Sequence, residues 1–571
     1  MPDKATPHNP YNDSPAKETV ISMIISLALA LVAKSYVVEA FVIPTGSMAP
    51  TLLGQHMQFR SPQSGYEWSV NPFYFRDNSG QFPFEIQGNG GTQPYPTSTD
   101  PMSTSRVNGW EQNAMLHMRR AGFAPPQQPK RNRAGDRILV HKWLYEVFEP
   151  KRFDVVVFKN PEEPLQNYIK RLIGLPHEDV WLCDGDVFVR PHKNGEPDPG
   201  AAWTIQRKSD RVQSSLWRDV FSIEYTPPKE RHEIGGVKVF EVPWKAGSTG
   251  GGIWDFTGPV YRNGADESSL LWNTGAWPIW TFQVYNDIRG RNVIDDKWPI
   301  SDLRLRAGVK PEKAGLGLTA TITARRHEFQ AAVRDGKAML QMRPTSEGIS
   351  VGASAGTGPD GWTVLAQGDM PGGALVAGAV TDVEFWHFDQ RLELRINGGV
   401  VLAHEYGWSA EQRTMFVTGP DDPNNTFGDA RLTRPVVYED GKTGTPAAER
   451  PRVEWTFSGS PVTLYRVGLD KDVYYEPRYF NSRPSRGSSA EFAASLRKDQ
   501  FFCCGDNSTN SMDGRMWPSV DPWIAAEIDD TPGVVHRDLL LGKAFFVYFP
   551  APHLLMDRVP IPDFGRMRFI R

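Results

Sequence analysis

The sequence predicts a mainly β protein with a single apolar helix near its N-terminus. Three observations support this fold class. The chain is rich in Gly, Pro and Trp (52, 47 and 18 of 571 residues), long helical periodicities are few, and short β-type runs separated by turn signals fill its second half. The length allows three or four domains, each with its own core. The net charge of −4, without a long Lys/Arg run, argues against a nucleic-acid partner.

The N-terminal region combines a polar tail with the apolar run. Residues 1–18 are rich in Pro and Asn and predict a disordered tail. Residues 20–33 are apolar and, as a helix, span roughly 21 Å, which is shorter than a bilayer core and favours a cleaved signal peptide. Lys34 can reach the interface and Tyr36 suits it, which favours a membrane anchor. These residues alone leave both interpretations open.

A candidate nucleophile follows directly. The sequence IPTGSMAPTL at residues 43–52 places Ser47 beside Gly46 and between two prolines. The prolines remove backbone donors, so this segment is neither an interior helix nor a central strand. A serine presented in this way is either a turn residue or a nucleophile, and a nearby base decides between the two.

A candidate base appears after an inserted segment. Residues 55–134 are rich in Gly, Pro, Ser, Asn and Gln and predict an irregular insertion. β-rich runs follow at 137–141, 153–159 and 167–175, and the third surrounds Lys170 with apolar residues. A lysine in such a strand usually reaches solvent or pairs with a carboxylate. Alternatively, burial lowers its pKa, so that the neutral amine can take a proton from a serine hydroxyl.

Five blocks of the sequence resemble the signature motifs of the type I signal peptidases, which are membrane-bound Ser/Lys endopeptidases. In chain order the blocks are IPTGSMAPTL, GDRILVHK, FDVVVFKNP, YIKRLIGLP and GDNSTNSMDGR, within residues 37–53, 135–189 and 501–549. The resemblance implies a signal-peptidase-like antiparallel β catalytic core assembled from residues 39–54, 135–190 and 481–571.

The resemblance also bears on the N-terminal helix and on location. Family members keep a membrane anchor just before the serine block, so residues 19–38 become a predicted transmembrane anchor. The implied location is the inner (cytoplasmic) cell membrane, crossed once, with the catalytic domain on the outer face. The implied partners are the lipid bilayer and the signal peptides of exported preproteins.

By position, the resemblance assigns roles to thirteen residues. It implies that Ser47 is the nucleophile, that Lys170 is the general base, and that Thr45 joins the backbone N–H of Ser47 in the oxyanion hole. Five residues would support the dyad, with Ser511 orienting the lysine: Ser511, Asp513, Arg515, Asp506 and Asn507. Five residues would line shallow pockets for small substrate side chains: Ile43, Met48, Leu52, Tyr168 and Ile169. As single residues, these last five are more typical of a core, and the GDN sequence at 505–507 is also ordinary in turns.

The sequence also departs from the family pattern. Residues 61–66 look like half of a zinc ribbon in which Ser61 and Ser64 replace the cysteines. Hydroxyls do not substitute for thiolates as structural zinc ligands, so we predict no metal there, and no cofactor is implied elsewhere. His177 and Gly514 replace an expected glycine and serine and affect only local loop geometry. Three cysteines, Cys183, Cys503 and Cys504, leave disulfide formation open.

The largest departure is an insertion at residues 191–480. From about 235 to 477 it predicts a β-sandwich, with its clearest signal in residues 383–406, which alternate and contain an Asn-Gly-Gly turn. That hairpin is similar to the concanavalin or laminin-G type. Such a domain can bind a glycan or a protein. Four tryptophans are candidates for ligand stacking, although most of them are expected in the core: Trp272, Trp277, Trp280 and Trp386.

The predicted function is removal of signal peptides from exported preproteins by a Ser/Lys dyad, after small residues at Ala-X-Ala-like sites. One alternative is a membrane-tethered protein that binds a glycan or a protein and has an inactive peptidase core. Another is an autoprotease of the Ser/Lys repressor kind, but nothing in the sequence resembles a DNA-binding domain. Retention of both Ser47 and Lys170 favours the active peptidase.

Overall fold

The computed structural model describes most of the chain. The described residues are 15–32, 37–61, 64–71, 86–88, 91–93, 100–102, 130–229, 232–234, 237–238, 240–275, 277–281, 283–286, 299–350, 353–354, 356–373, 375–418, 436–437, 443–444, 450–476, 479–480, 483–555 and 559–571. Within them the fold is mainly β, as the sequence predicts. The α-helices are Pro15–Val32, Leu144–Val147, Asp210–Leu216, Ser346–Ser350, Ala410–Thr418 and Pro522–Glu527.

The N-terminal helix begins at Pro15, so the prediction of a disordered tail through residue 18 is wrong for its last four residues. Proline is well suited to the first turn of a helix because the N–H it lacks has no helical partner there, and Glu18 adds a favourable charge in that turn. Residues 1–14 lie outside the described part of the chain. No helix among the described residues is both long and apolar enough to cross a membrane.

An eight-stranded antiparallel sheet contains Lys170 in one strand and leads from another strand into the loop of Ser47. Its path is Val38–Val42, Arg137–His141, Leu540–Phe549, Val155–Lys159, Asn167–Gly174, Gln500–Cys504 and Val535–His536, and Arg568–Phe569 pairs with Leu540–Phe549. The predicted strands at 137–141 and 167–175 are therefore present. The strand predicted at 153–159 begins only at Val155, and Phe153 before it adopts a positive φ of 70°. Three separated stretches of sequence thus build one sheet.

Smaller sheets extend this core. A four-stranded sheet has the order Thr204–Ile205, Asp186–Pro191, Glu178–Cys183 and Ala494–Leu496. The two-stranded pairs are Ile86–Gly88 with Gly91–Gln93, Glu233–Ile234 with Val237–Lys238, Val436–Val437 with Thr443–Gly444, Tyr479–Phe480 with Arg483–Pro484, and His553–Leu555 with Val559–Ile561. Short 3₁₀ turns lie at Ile223–Tyr225, Val284–Asn286, Pro359–Gly361, Ser508–Asn510, Arg537–Leu539 and Phe564–Arg566.

The segment 55–134 is more regular than the sequence predicts. His56–Arg60 pairs with Glu67–Val70 and with Lys130–Arg133 to form a three-stranded sheet. Alternate side chains on the first two strands meet in a small apolar cluster of Met57, Phe59, Trp68 and Val70. Two strands of five and four residues give too short an alternation to be recognised within a stretch rich in Gly and Pro.

Two seven-stranded antiparallel sheets pack face to face in the large insertion. The first contains Arg218–Ser222, Val462–Lys471, Leu303–Pro311, Thr381–Phe388, Arg391–Ile396 and Gly399–Glu405, with Val260–Asn263 paired to Val462–Lys471. The second contains Trp244–Ala246, Glu267–Trp272, Arg452–Ser458, Gly317–Ala324, His327–Arg334, Lys337–Pro344 and Thr363–Asp369. We call this pair of sheets, together with the segments that connect their strands, the inserted sandwich.

Alternation along the strands creates the core of the inserted sandwich. In Gly317–Ala324, for example, Leu318, Ala320 and Ile322 are buried while the threonines between them are partly exposed. The predicted turn at the Asn-Gly-Gly sequence is present, with positive φ at Asn397 and Gly398. The predicted start near residue 235 is too late, because the short strand Arg218–Ser222 already pairs with Val462–Lys471.

Candidate functional site

The loop that carries Ser47 leaves the first strand of the eight-stranded sheet and is held by Asp136. The backbone N–H of Ile43 donates to the carbonyl of Asp136 (2.9 Å), and the N–H of Leu53 donates to its carboxylate (2.9 Å). Within the loop, the N–H of Ala49 donates to the carbonyl of Gly46 (3.0 Å), which closes a tight turn around Ser47. The Ser47 side chain is consequently fixed near the edge of the protein interior, with 9% of the residue exposed.

Lys170 lies within the strand Asn167–Gly174 and is aimed at Ser47. Its ammonium nitrogen donates to the Ser47 hydroxyl oxygen at 2.6 Å, and only 3% of the residue is exposed. Burial lowers the pKa of Lys170 to about 8, while the nearby Asp513 carboxylate acts in the opposite direction. The structure therefore brings together the two residues that the sequence predicts as nucleophile and base, across 123 positions of the chain.

The GDN turn after the strand Gln500–Cys504 packs against the Ser47 loop. The backbone N–H of Asn507 donates to the Ser47 carbonyl (3.0 Å), and the Asn507 side-chain amide donates to the Gly46 carbonyl (2.9 Å). A Cβ on Gly505 would lie 2.4 Å from the Ser47 carbonyl oxygen, so this close approach requires glycine. Asn507 thus fixes both peptide groups that flank the nucleophile.

Asp506 forms a buried ion pair with Arg171, the residue next to Lys170. Two hydrogen bonds of 2.8 and 2.7 Å join the guanidinium to the carboxylate, which also accepts from the Thr51 hydroxyl at 2.6 Å. Burial by itself would raise the pKa of Asp506, but Arg171 holds it below its usual value. The pair connects the strand of Lys170 to the loop of Ser47.

A second buried ion pair lies behind Lys170. Asp513 accepts from Arg515 at 2.9 and 2.7 Å and from the backbone N–H of Gly505 at 2.9 Å. Burial opposes the charge of Asp513, but Arg515 lowers its pKa. Ser511 is also buried, and a Cβ on Gly505 would lie 2.3 Å from its hydroxyl oxygen. All five predicted supporting residues therefore surround the dyad, although their roles remain predictions.

The predicted pocket residues divide between two faces of the sheet. Ile43, Met48, Leu52 and Ile169 are buried in one apolar cluster beneath the Ser47 loop. Tyr168 is half-buried in a different cluster, with its ring 6.2 Å from that of Trp517, because neighbouring residues of a strand point to opposite faces. Thr45 is exposed beside the Ser47 turn. The pocket and oxyanion roles of these residues remain predictions.

Sequence reasoning missed the contribution of the inserted sandwich to this site. Tyr285 and Asn286 lie on the short turn Val284–Asn286, and both contact the residues around Ser47. A short segment within a long insertion carries no motif that could have revealed this contact. The sequence analysis also missed Thr51, which donates to Asp506, and Asp136, which holds the Ser47 loop. Both contacts join segments far apart in the chain, so no local pattern indicates them.

One group of acidic residues has the spacing of a metal site but is already neutralised. Among the described residues, the carboxylates of Asp186, Asp302 and Asp389 approach one another within 4.8 Å. Their respective partners are Arg413 (2.7 Å), Arg325 (2.6 Å) and Lys208 (2.5 Å). Because each carboxylate is already paired with a cationic side chain, the three aspartates belong to a network of buried ion pairs.

The two serines of the zinc-ribbon-like segment form hydrogen bonds within the protein. The Ser61 hydroxyl accepts from the backbone N–H of Ser64 (3.2 Å), and the Ser64 hydroxyl donates to Asp100 (3.0 Å). The three cysteines, Cys183, Cys503 and Cys504, are buried and form no disulfide.

The expectation that most of the candidate tryptophans lie in the core is confirmed. Three of them are buried, namely Trp272, Trp277 and Trp386, and Trp280 is half-buried.

The part of the chain that contains Lys170 and the GDN turn matches a known protein family. Residues 129–221 and 465–549 match the family described as "Signal peptidase, peptidase S26". Signal peptidase I of Pseudomonas fluorescens is 41% identical over 106 residues, covering 15% of this chain and 37% of the relative. Signal peptidase I V of Bacillus subtilis is 26% identical over 106 residues, covering 19% of this chain and 62% of the relative. The chain spans less than two thirds of the length of these relatives.

The matched residues define a peptidase region. More narrowly, that region is similar to type I signal peptidases, which confirms the resemblance carried by the sequence blocks. Ser47 lies outside the two matched segments.

Two solved structures are similar to part of the chain at low identity. The carbohydrate binding module CBM66 from Bacillus subtilis is 9% identical, with a TM-score of 0.21, and covers 40% of this chain and 96% of its own. Sheep galectin-11 is 9% identical, with a TM-score of 0.16, and covers 29% of this chain and 86% of its own.

Proposed function

We propose that this protein is a serine endopeptidase that removes signal peptides from exported preproteins. The observation that carries the proposal is the 2.6 Å hydrogen bond between Lys170 Nζ and Ser47 Oγ, with the lysine pKa lowered to about 8. A buried amine with a pKa lowered to about 8 has an appreciable neutral fraction near physiological pH, and the neutral form can act as the base that activates a serine hydroxyl. The similarity of residues 129–221 and 465–549 to signal peptidases supports the substrate class.

The proposed reaction uses the two side chains in sequence. Neutral Lys170 takes the hydroxyl proton as Ser47 Oγ bonds to the scissile carbonyl carbon, and the protonated amine then gives this proton to the departing amine of the mature protein. Lys170 then takes a proton from water as the water oxygen attacks the resulting ester. The bond to Ser47 Oγ breaks, Lys170 returns the proton to this oxygen, and the signal peptide leaves with a free carboxylate. In this scheme Thr45 and the Ser47 backbone N–H stabilise the oxyanion, and each such donor contributes about 10²–10³-fold to the rate.

We further propose that the protein cuts after small residues and acts at a membrane. Shallow pockets built from Ile43, Met48, Leu52, Tyr168 and Ile169 would exclude large side chains at Ala-X-Ala-like sites, since overpacking costs roughly 1–3 kcal/mol. Residues 19–38 would anchor the chain in the inner membrane with the catalytic region outside. Anchoring would raise the effective concentration of the dyad where cleavage sites emerge.

The test is cleavage of a preprotein with an Ala-X-Ala site, in detergent, by the wild type and by Ser47→Ala and Lys170→Ala. Both variants should lose cleavage, by about 10²–10⁴-fold for the base. Matched controls are Ser215→Ala and Lys337→Ala, which change exposed residues of the insertion and should keep full activity. An intact preprotein after incubation with the wild type, or full activity in Lys170→Ala, would contradict the proposal and favour a binding function for the inserted sandwich.

A further inference from the structure

One short segment of the insertion lies directly against the candidate active site. The turn Val284–Asn286 belongs to residues 191–480 and follows the sandwich strand Glu267–Trp272 in the chain. It contacts both the Ser47 loop and the GDN turn, which come from two distant parts of the sequence. The insertion is therefore in physical contact with the peptide groups around the nucleophile.

Tyr285 provides the apolar part of this contact. Its ring covers Gly46 so closely that a Cβ on that glycine would lie 2.0 Å from the ring atom Cε1. The buried ring also packs with Ala49 and Leu53, two further residues of the Ser47 loop. Its hydroxyl donates to the carbonyl of Gln55 at 3.3 Å. Tyr285 thus covers the outer side of the loop.

Asn286 provides the polar part of the contact. Its side-chain amide forms two reciprocal hydrogen bonds with the amide of Asn507, of 2.6 and 2.9 Å, and donates to the Thr509 hydroxyl at 3.0 Å. Asn507 in turn donates from its side chain to the Gly46 carbonyl. Two amides joined by reciprocal bonds fix each other's orientation, so Asn286 determines which atom of Asn507 faces Gly46.

We infer that Asn286 is a positioning residue, supplied by the inserted sandwich, for the nucleophile Ser47. This inference rests on the proposed function. Asn286 does not contact Ser47 but acts through Asn507, whose bonds hold the peptide groups on either side of the serine. Catalytic groups need support that fixes them within a fraction of an ångström, and a displacement of about 1 Å can cost 10²-fold in rate.

The inference makes a specific kinetic prediction. Asn286→Ala should lower kcat by roughly 10- to 100-fold and leave KM within about twofold, because the loss concerns the placement of the serine rather than the substrate pocket. The matched control is Asn263→Ala, which removes a buried and hydrogen-bonded asparagine elsewhere in the inserted sandwich, where it contacts Gly251 and Ala265. This control should keep the wild-type kcat.

A double-mutant cycle tests whether Asn286 acts through Asn507. If it does, Asn286→Ala should reduce kcat much less in an Asn507→Ala background than in the wild type. Equal fold-losses in both backgrounds, or a lower melting temperature without a change in kcat, would indicate a merely structural role and overturn the inference.

A second readout does not depend on activity. Hydrogen exchange of the amides in residues 46–53 should become several-fold faster in Asn286→Ala and remain unchanged in Asn263→Ala, because the loop opens more often without its support. Unchanged exchange in both variants would overturn the inference even if the wild type is active. If the wild type does not cleave the preprotein, the proposed function fails, and the exchange rates still decide whether Asn286 holds the loop.

Discussion

The ionisation of Lys170 depends mainly on burial and is adjusted by two neighbouring charges. Desolvation favours the neutral amine, Asp513 favours the ammonium form, and Arg515 acts with burial. Asp513 and Arg515 form a tight ion pair, and their effects on the pKa of Lys170 oppose each other, both being smaller than that of burial. Burial therefore decides the result, a pKa of about 8.

The pH dependence of cleavage follows from this value. Below about pH 8 the protonated amine cannot accept the serine proton, so kcat/KM should rise by up to tenfold per pH unit and level off above that pH. The measurement is kcat/KM from pH 6 to pH 10, with a peptide that has no ionisable groups near the cleavage site. A flat profile would contradict the role of Lys170 as the base, and a rate that still rises about tenfold per pH unit up to pH 10 would contradict its lowered pKa.

At the scale of elements, the contact between the turn Val284–Asn286 and the Ser47 loop requires a glycine. Gly46 presents its bare Cα to the Tyr285 ring, and any side chain there would overlap the ring. The requirement comes from the neighbouring element, since Gly46 has no positive φ.

We expect Gly46→Ala to displace the loop. Overpacking should cost about 1–3 kcal/mol of stability and lower kcat, and Tyr285→Ala in the same chain should restore part of the lost activity because it opens space. Unfolding in urea and steady-state kinetics measure the two effects. Gly407→Ala is the matched control, since a Cβ there meets no atom within 4 Å. An additive loss in the double variant would contradict the steric explanation.

At the scale of the whole molecule, buried charges join the inserted sandwich to the four-stranded sheet. Asp184 lies in the turn between Glu178–Cys183 and Asp186–Pro191, and Asp186 is the first residue of the second strand. Arg413, on the helix Ala410–Thr418, donates to both carboxylates at 2.8 and 2.7 Å, and Arg325 donates to Asp184 at 2.6 Å. These residues are fully or almost fully buried. These buried ion pairs join the inserted sandwich to the four-stranded sheet, and moving the two parts away from each other would break them.

Removing one of these charges should weaken the whole assembly. Arg413→Met leaves a buried carboxylate without its cation, which should cost about 3–5 kcal/mol of stability. The measurement is urea unfolding. As a control, Arg466→Met removes a half-exposed ion pair with Asp382 and should cost less than about 1 kcal/mol. Equal midpoints for the two variants would contradict a role of Arg413 in joining the two parts.

The sequence allowed the dyad to be predicted but not the surroundings that come from the insertion. The approach of Ser47 to Lys170 could be expected from the order of the motif blocks, and the turn at Asn397 was found because positive φ needs particular residues. Asn286 and Arg413 act only through contacts between segments far apart in the chain, for which local patterns contain no signal. The short strands at His56–Arg60 and Glu67–Val70 were missed because their alternation is brief.

The strand order of the eight-stranded sheet has a consequence for synthesis. Among the described residues, Leu540–Phe549 is the strand that joins two pairs of strands. One pair, Val38–Val42 with Arg137–His141, lies on the side of the Ser47 loop, and the other pair is Val155–Lys159 with the Lys170 strand Asn167–Gly174. The joining strand is made roughly 370 residues after Lys170. At about 5–20 residues per second, this takes about 20–75 s. A nascent chain therefore carries Ser47 and Lys170 for much of its synthesis without the complete sheet that sets the distance between them.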